Sequence, residues 1–297
     1  MHDRRLLICP GATKAGTSWL YRWLSGHSDC HLKAVKELHY FSSDTPDEIQ
    51  KRVDVLSRQV ANFEGQLLEA QAASQDWKVR NMMRRITDTN GLIATLQSDR
   101  SDLAPYTDYV GQGAEAAQVV GDITPAYATL DTDKLSKILE TKMDVRVLFL
   151  VRDPLDRLWS HVRMHAKRYL REGQTVVEKS ARVLDRIMNK DHESHITDRG
   201  DYVGIIGRLQ AAFGDKLHVA YAENLSTEVG QKDICRFLGI AHEAPDQTDR
   251  AHTGLDIPFP EKRRRATVKF LKDQYDFVAA NFGPVPSNWA MNRGLLA

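Results

Sequence analysis

The sequence predicts an α/β fold in which a central, mostly parallel sheet is flanked by helices in three layers. Two observations predict it: short, continuous apolar runs typical of buried strands recur along the chain, and amphipathic helical sequence follows them. The chain has 297 residues, of which 42% are hydrophobic and 27% charged, so it can bury a sizeable core. We expect a single domain over residues 1–297, with a helical insertion at about residues 45–100.

Four apolar runs are the predicted strands. The first ends at Pro10-Gly11, a turn signal that separates it from a helical pattern. The third leads through Arg152-Asp153-Pro154 into a helix that we expect from about residue 155 to 170, because proline suits the first turn of a helix. The four runs are residues 6–9, 119–121, 145–151 and 217–221.

The insertion is predicted to be a helical hairpin. Its first half repeats apolar residues at alternating spacings of four and three, which indicates one helix of six or seven turns. The two apolar sets are Ile49, Val53, Leu56, Val60, Phe63, Leu67 and Ala70, then Trp77, Met82, Met83, Ile86, Ile93 and Leu96. The hairpin either packs on the main core or serves as a cap over a substrate site or a dimer contact.

Charge and cysteine content exclude several classes. Forty-one Lys and Arg residues against forty Asp and Glu residues leave a formal charge of +1, which offers no general field for nucleic acid or anionic membranes. Cys9, Cys30 and Cys235 are far apart in the sequence, so neither a disulfide framework nor a structural zinc site is expected. The apolar run near the N-terminus is too short for a signal peptide or a membrane span. We therefore expect a cytoplasmic protein that binds no nucleic acid.

A P-loop-like anion site is predicted between the first strand and its helix. Glycines let the backbone approach a ligand closely, hydroxyls donate hydrogen bonds, and Lys14 adds a positive charge beside a helix N-terminus. A triphosphate loop requires lysine at position 17, where this chain has threonine. The predicted binding residues are Gly11, Thr13, Lys14, Ala15, Gly16, Thr17 and Ser18.

A second anion site is predicted after the strand at residues 145–151. Arg152 lies at the carboxyl end of this strand, the edge of an α/β sheet where ligands bind, and Ser160 follows about two turns into the next helix. An arginine fork and a hydroxyl are suitable donors to phosphate. Alternatively, Arg152 is a surface charge or a partner of Asp153 or Asp156.

Together these motifs resemble those of sulfotransferases that use 3′-phosphoadenosine 5′-phosphosulfate (PAPS). The run from Lys14 to Trp19 resembles the family's 5′-phosphosulfate loop, and Arg152 and Ser160 have the spacing of its 3′-phosphate motif. The run Val35-Lys36-Glu37-Leu38-His39-Tyr40-Phe41 resembles the Lys-Glu-x-x-Phe-Phe segment of the carbohydrate-type members, although leucine replaces a common proline and tyrosine replaces a phenylalanine. The segment from Asp122 to Tyr127 resembles the family's Ser/Thr-Pro-x-Tyr segment.

The resemblance implies a role for each motif. PAPS would be the sulfuryl donor, 3′,5′-ADP the product, and a carbohydrate or small molecule the acceptor, with no metal required. Lys14 would contact the bridging oxygen, Glu37 would be the base, and Lys36 would help to stabilise the sulfuryl group. Aryl-type members use a histidine as base instead, so His39 remains an alternative.

Several alternatives remain open at this level. Thr124 and Tyr127 either position the substrate or form a buried turn. The chain could also be a variant P-loop kinase, or a nucleotide-binding protein without turnover whose long helix is an interaction surface, and a homodimer is possible. Towards the C-terminus, the basic run at 261–265 is either a solvated helix face or a closing segment, and a loop at 252–254 could also close over the nucleotide. We expect a last helix at about 261–280 and then a tail that contains glycine and proline.

Overall fold

The computed structural model describes residues 4–189, 193–246 and 257–296. It contains a five-stranded sheet with the strand order β2-β3-β1-β4-β5, in which all neighbouring strands are parallel. This confirms the predicted α/β class. The strands are β1 (Arg5–Gly11), β2 (Cys30–Leu32), β3 (Val119–Ile123), β4 (Asp144–Val151) and β5 (Leu217–Tyr221).

The central strands are the most apolar ones, because both of their faces are covered. β1 lies between β3 and β4, with Leu6 aligned with Val120 on one side and Val145 on the other. Residues 147–151 of β4 are completely buried. A continuous apolar run is typical of such a strand in a parallel sheet. The carboxyl ends of β1, β3 and β4 therefore meet at one edge of the sheet.

Helices flank this sheet, and none of those in the described residues combines the length and apolar character of a membrane span. Those before β4 are α1 (Thr17–Gly26), α2 (Pro46–Ala72), α3 (Asp76–Gln97), α4 (Ala104–Gly111) and α5 (Thr132–Ser136). Between β4 and β5 lie α6 (Pro154–Arg168), α7 (Val176–Met188), α8 (Ser194–Thr197) and α9 (Tyr202–Phe213). The remaining helices are α10 (Glu228–Leu238), α11 (Glu261–Phe270), α12 (Lys272–Asn281) and α13 (Ala290–Arg293).

The predicted hairpin is formed by α2 and α3. α2 begins with a capping box in which the Thr45 side chain accepts from the Glu48 N–H and the Glu48 carboxylate accepts from the Thr45 N–H. Leu56 of α2 and Leu92 of α3 are completely buried in the main core, so the hairpin packs on it. The prediction was wrong in detail at Trp77 and Met83, which are exposed and lie outside the packed stripe.

The C-terminal region differs from the prediction. The expected last helix is two helices, α11 and α12, which meet at Leu271. The expected tail is folded: Trp289 is completely buried and its indole N–H donates to Glu223 Oε1 at 2.8 Å. Glycine and proline predict local turns only, whereas the partner of Trp289 follows a distant strand.

Candidate active site

Four segments that follow neighbouring strands meet at the carboxyl edge of the sheet. The predicted anion loop follows β1, the segment with Glu37 follows β2, Thr124 follows β3, and Arg152 follows β4. The carboxyl edge of an α/β sheet is where ligands bind. The structure thus brings the predicted motifs to one place.

The anion loop leaves the N-terminus of α1 open to a ligand. Gly16 is the N-cap residue, with a φ of 89°, and no side chain caps the helix. The first N–H groups of α1 can therefore donate to an anion. A Cβ at Gly16 would lie 2.8 Å from Leu225 Cδ1, which explains why glycine is required here. Lys14 in the same loop also has a positive φ, of 73°.

The hydroxyls of the loop include one that lacks a partner. Thr13 is 8% exposed, and its Oγ1 has no hydrogen-bond partner among the described residues. A buried hydroxyl without a partner costs free energy, so its position suits a ligand oxygen. Thr17 is also buried, whereas Ser18 is exposed and Ala15 can contribute only its backbone.

Positive charges converge on the loop. Arg152 Nη1 donates to the backbone carbonyl of Lys14 at 3.2 Å, so the two predicted anion sites touch. Burial lowers the pKa of Lys14, and the charges of Arg152, Arg163 and Lys36 lower it further. Three cations thus act on Lys14, and an anionic ligand bound in the loop would offset their mutual repulsion.

One face of α6 extends this positive surface. Arg152, Asp156 and Ser160 are spaced by four residues, and Arg152 Nη2 lies 3.9 Å from Asp156 Oδ2. Ser160 is half-buried on the same face, and Arg163 follows one turn later. The sequence analysis missed Arg163. Its helical spacing from Ser160 was the available signal.

The Arg152 backbone is held firmly. Tyr202 donates its hydroxyl to the Arg152 carbonyl at 2.8 Å and accepts from the Arg152 N–H at 3.1 Å. The next residue, Asp153, is buried and caps α6 through the N–H groups of Leu155 and Asp156. Asp153 is therefore used as a helix cap. This role gives no support to the kinase alternative.

The loop that follows β2 presents Glu37 and His39 to the site. Both residues have positive φ values, 66° and 60°. Lys36 Nζ donates to Glu37 Oε1 at 2.7 Å, and His39 Nε2 lies 3.7 Å from Glu37 Oε2. Between and after them, Leu38 and Tyr40 are buried and anchor the loop.

The Glu37 carboxyl is strongly acidic in this arrangement. Burial, the largest single influence, would raise its pKa, but the hydrogen bond from His39 and the charge and hydrogen bond of Lys36 together outweigh burial. The pKa of Glu37 is lowered to about 2 as a result. Glu37 is therefore ionised at neutral pH and able to accept a proton, but it is a weak base while Lys36 stays paired with it.

Thr124 and Tyr127 lie beneath this loop. Both are completely buried and donate to Asp122, Thr124 at 2.6 Å and Tyr127 at 2.7 Å. The Tyr127 hydroxyl also accepts from the Phe41 N–H at 3.4 Å. These contacts favour the structural alternative, in which the two residues support the loop. Burial raises the pKa of the Asp122 carboxyl.

The basic run near the C-terminus lies on α11. Arg263 pairs with Asp185 at 2.7 Å, and Arg264 Nη1 donates to Asn292 at 2.9 Å. These contacts tie the run to α7 and α13. The loop predicted at residues 252–254 lies outside the described residues.

Comparisons with a family model and with solved structures point to the same family. A model of the sulfotransferase family matches residues 7–244, which is more than half of the chain. A search of curated protein sequences found no match. The sulfotransferase of Alicyclobacillus acidocaldarius has a similar structure, with a TM-score of 0.61 at 20% identity over 96% of this chain and 98% of that chain. The sulfotransferase domain of the Synechococcus PCC 7002 olefin synthase gives a TM-score of 0.51 at 15% identity, over 92% of this chain and 94% of that one.

Proposed function

The chain belongs to the sulfotransferase family, and we propose that it transfers a sulfuryl group from PAPS to a hydroxyl or amine of a carbohydrate or small-molecule acceptor. The observation that carries this proposal is the contact between Arg152 and the Lys14 backbone. It sets the anion loop beside a second group of phosphate donors, and PAPS differs from ATP in carrying a separate 3′-phosphate.

The residues fit this donor. The open N-terminus of α1 and the buried Thr13 hydroxyl suit the 5′-phosphosulfate. Arg152 and the face of α6 with Ser160 suit the 3′-phosphate, and we add Arg163 to this set because it lies one turn after Ser160 on α6 and its charge reaches Lys14. Guanidinium groups bind phosphate through two parallel hydrogen bonds, which favours arginine at this place.

The donor, when bound, supplies the sulfuryl group. Lys14 stabilises the negative charge that develops on the bridging oxygen, and Thr17 and Ser18 hold the 5′-phosphate with the backbone of α1. Glu37 accepts the proton of the acceptor. Lys36 has two roles that it cannot fill at the same time. It pairs with Glu37 first and stabilises the sulfuryl group later.

The movement of Lys36 from Glu37 to the sulfuryl group explains how a carboxylate with a low pKa can serve as the base. When the Lys36 ammonium turns from Glu37 towards an incoming sulfuryl group, the carboxylate loses the charge and the hydrogen bond that lower its pKa. Glu37 then becomes a stronger base at the moment when a base is needed. His39 remains in contact and keeps the carboxylate oriented.

A lysine substitution tests the proposal. In Lys14→Ala we expect kcat to fall by about 100-fold or more, because a positioned charge on the transition state is lost, while the affinity for 3′,5′-ADP changes by less than about 10-fold. Lys232→Ala is the matched control, since Lys232 is exposed and pairs with Glu228 on α10. The measurement is turnover at saturating donor with an acceptor found by screening. An unchanged kcat would remove Lys14 from the chemistry.

The acceptor screen also tests the alternative that the chain is a nucleotide-binding protein without turnover. Binding of 3′,5′-ADP with no sulfate transfer to any of a broad acceptor panel would favour that alternative over the enzyme.

A further inference from the structure

Three side chains that can bind a metal ion converge at the far end of α6, away from the anion loop. His165 lies near the end of α6, and Glu193 and His195 lie at the start of α8. His165 Nε2 is 3.5 Å from Glu193 Oε2, and His195 Nδ1 is 3.7 Å from the same oxygen. One ligand atom from each residue lies within 4.8 Å of the other two.

We propose that His165, Glu193 and His195 bind a divalent transition-metal ion of the Zn²⁺ class. Bonds of about 2.0–2.1 Å to a tetrahedral ion place neighbouring ligand atoms about 3.4 Å apart. The two distances from the carboxylate to the imidazoles are close to this separation before any adjustment. Two imidazole nitrogens and one carboxylate select Zn²⁺ and its neighbours over Mg²⁺ or Ca²⁺, which prefer oxygen ligands.

The surroundings orient these ligands. Arg186 donates to the second oxygen of Glu193, which leaves Oε2 to face both histidines. Glu193 has a φ of 72°, a conformation that non-glycine residues adopt rarely and mostly where a surrounding structure requires it. The Tyr169 ring packs against His165 with 4.7 Å between the centroids. Contacts around the ligands set ring orientation and metal affinity.

Access also suits a metal ion. The Glu193 side chain is 9% exposed, whereas that of His195 is 52% exposed, so an ion can enter from solvent and keep a water as its fourth ligand. The positive charges of Arg186 and Lys179 oppose the ion, and we expect an affinity in the range of about micromolar rather than that of a structural zinc finger.

The site would fasten α6 to α8. His165 lies on α6 five residues after Ser160. The other two ligands belong to the start of α8, not to the anion loop. The bound ion would hold the C-terminal end of α6, the helix that begins two residues after Arg152. The inference does not depend on the sulfotransfer reaction, because its ligands take no part in the proposed chemistry.

Zinc titration of the full chain, prepared without a polyhistidine tag and stripped with a chelator, tests this proposal. We expect one Zn²⁺ per chain by calorimetry, and a visible Co²⁺ spectrum of the tetrahedral type. In His195→Ala the Zn²⁺ affinity should fall by about 10-fold or more, because a direct ligand contributes at least as much as a supporting contact. Bound Zn²⁺ should raise the melting temperature of the wild-type protein and not that of this variant.

The matched control is His218→Ala. His218 also pairs with a carboxylate, Asp233 at 2.8 Å, but no third metal-binding side chain of the described residues lies close enough to complete a site with them. Its Zn²⁺ affinity should equal that of the wild type. His195 is half exposed, so its variant is expected to fold, and circular dichroism checks this. A wild-type protein that does not bind Zn²⁺, or equal affinity in wild type and His195→Ala, would overturn the proposal.

Discussion

At the scale of single residues, the proposed catalytic groups share an unusual backbone conformation. Lys14, Glu37 and His39 all have φ between 60° and 73°, and they are three of the six non-glycine residues with positive φ in the described part of the chain. Each such residue costs of order 1–3 kcal/mol and persists only where its surroundings require it, and such residues cluster at active sites. This conformation gives the proposed site support that is independent of sequence motifs.

The pH dependence of turnover distinguishes the two candidate bases. Because the folded pKa of Glu37 is about 2, below the ordinary value of a glutamate, the carboxylate is charged above that pH and is protonated only in strong acid. If Glu37 is the base, kcat/KM should show no acid limb above about pH 4, whereas a histidine base must first lose its proton and gives an acid limb at higher pH.

Substitution of each candidate base completes this test. Glu37→Gln should lower kcat by about 100-fold or more, and His39→Gln by less than about 10-fold. The pH–rate profile is measured with the screened acceptor in a buffer series of constant ionic strength. An acid limb above about pH 4 that disappears in His39→Gln would transfer the role of base to His39.

Tyr127 is predicted to be a positioning residue. Tyr127→Phe removes the hydroxyl that joins Asp122 to the Phe41 N–H, so the loop with Glu37 should loosen. We expect kcat to fall by about 10-fold while the affinity for 3′,5′-ADP stays constant, and unfolding in urea to show a loss of about 1–3 kcal/mol. Tyr221→Phe, which removes a longer contact to Phe282, is the control. A loss of stability with an unchanged kcat would make the role of Tyr127 purely structural.

Sequence reasoning could identify the residues of the motifs, but not the contacts between them. The glycine spacing of the anion loop and the position of Arg152 after a buried run are local features. Asp122, by contrast, is in the sequence only the first residue of the segment that resembles the family's Ser/Thr-Pro-x-Tyr segment. Its role depends on three hydroxyls that approach it from Tyr106, Thr124 and Tyr127, and no sequence spacing shows that convergence.

At the scale of elements, the hairpin of α2 and α3 holds the loop that carries Glu37. Arg52 of α2 donates to the Glu37 carbonyl. Asp88 of α3 accepts from the Ala34 N–H at 2.6 Å, and Arg84 donates to the Leu32 carbonyl at 2.8 Å. The insertion is therefore hydrogen-bonded to the backbone at the end of β2 and in the segment that follows it. Its existence was predictable from apolar spacing, but its partners were not.

Loss of this attachment should slow the reaction. In Arg52→Met we expect kcat to fall by about 10-fold with little change in 3′,5′-ADP affinity, because the Glu37 backbone loses a charged hydrogen bond worth about 1.5–3 kcal/mol. Arg58→Met, on the exposed face of the same helix, is the matched control and should behave as wild type. Equal kcat values in Arg52→Met and wild type would show that the hairpin does not position Glu37.

The folded C-terminal segment should be important for stability. Trp289→Ala removes a completely buried indole and its hydrogen bond to Glu223, so we expect a loss of about 3–5 kcal/mol in the free energy of unfolding. Met291→Ala, two residues away and exposed, should lie within about 0.5 kcal/mol of wild type. Urea unfolding measures both. Similar stabilities would mean that the segment is not part of the core.

At the scale of the whole molecule, the strand order explains why distant motifs form one site. The order β2-β3-β1-β4-β5 places the segments after four neighbouring strands side by side. The alternation of apolar runs and helices predicted the α/β class, because each run reflects burial on two faces. The order itself depends on pairing between strands that are far apart in the sequence, and a single sequence does not show it. The acceptor is likewise not identified by any local motif.

The most direct test of the account is calorimetric titration with 3′,5′-ADP, 5′-ADP, and ATP with magnesium. We expect 3′,5′-ADP to bind tightest, and Arg152→Ala to weaken it by about 10-fold to 100-fold with little effect on 5′-ADP, since a hydrogen-bonded charge pair with phosphate contributes about 1.5–3 kcal/mol. Arg236→Ala, an exposed arginine on α10, is the control. Preference for ATP with magnesium over 3′,5′-ADP would contradict PAPS as the donor.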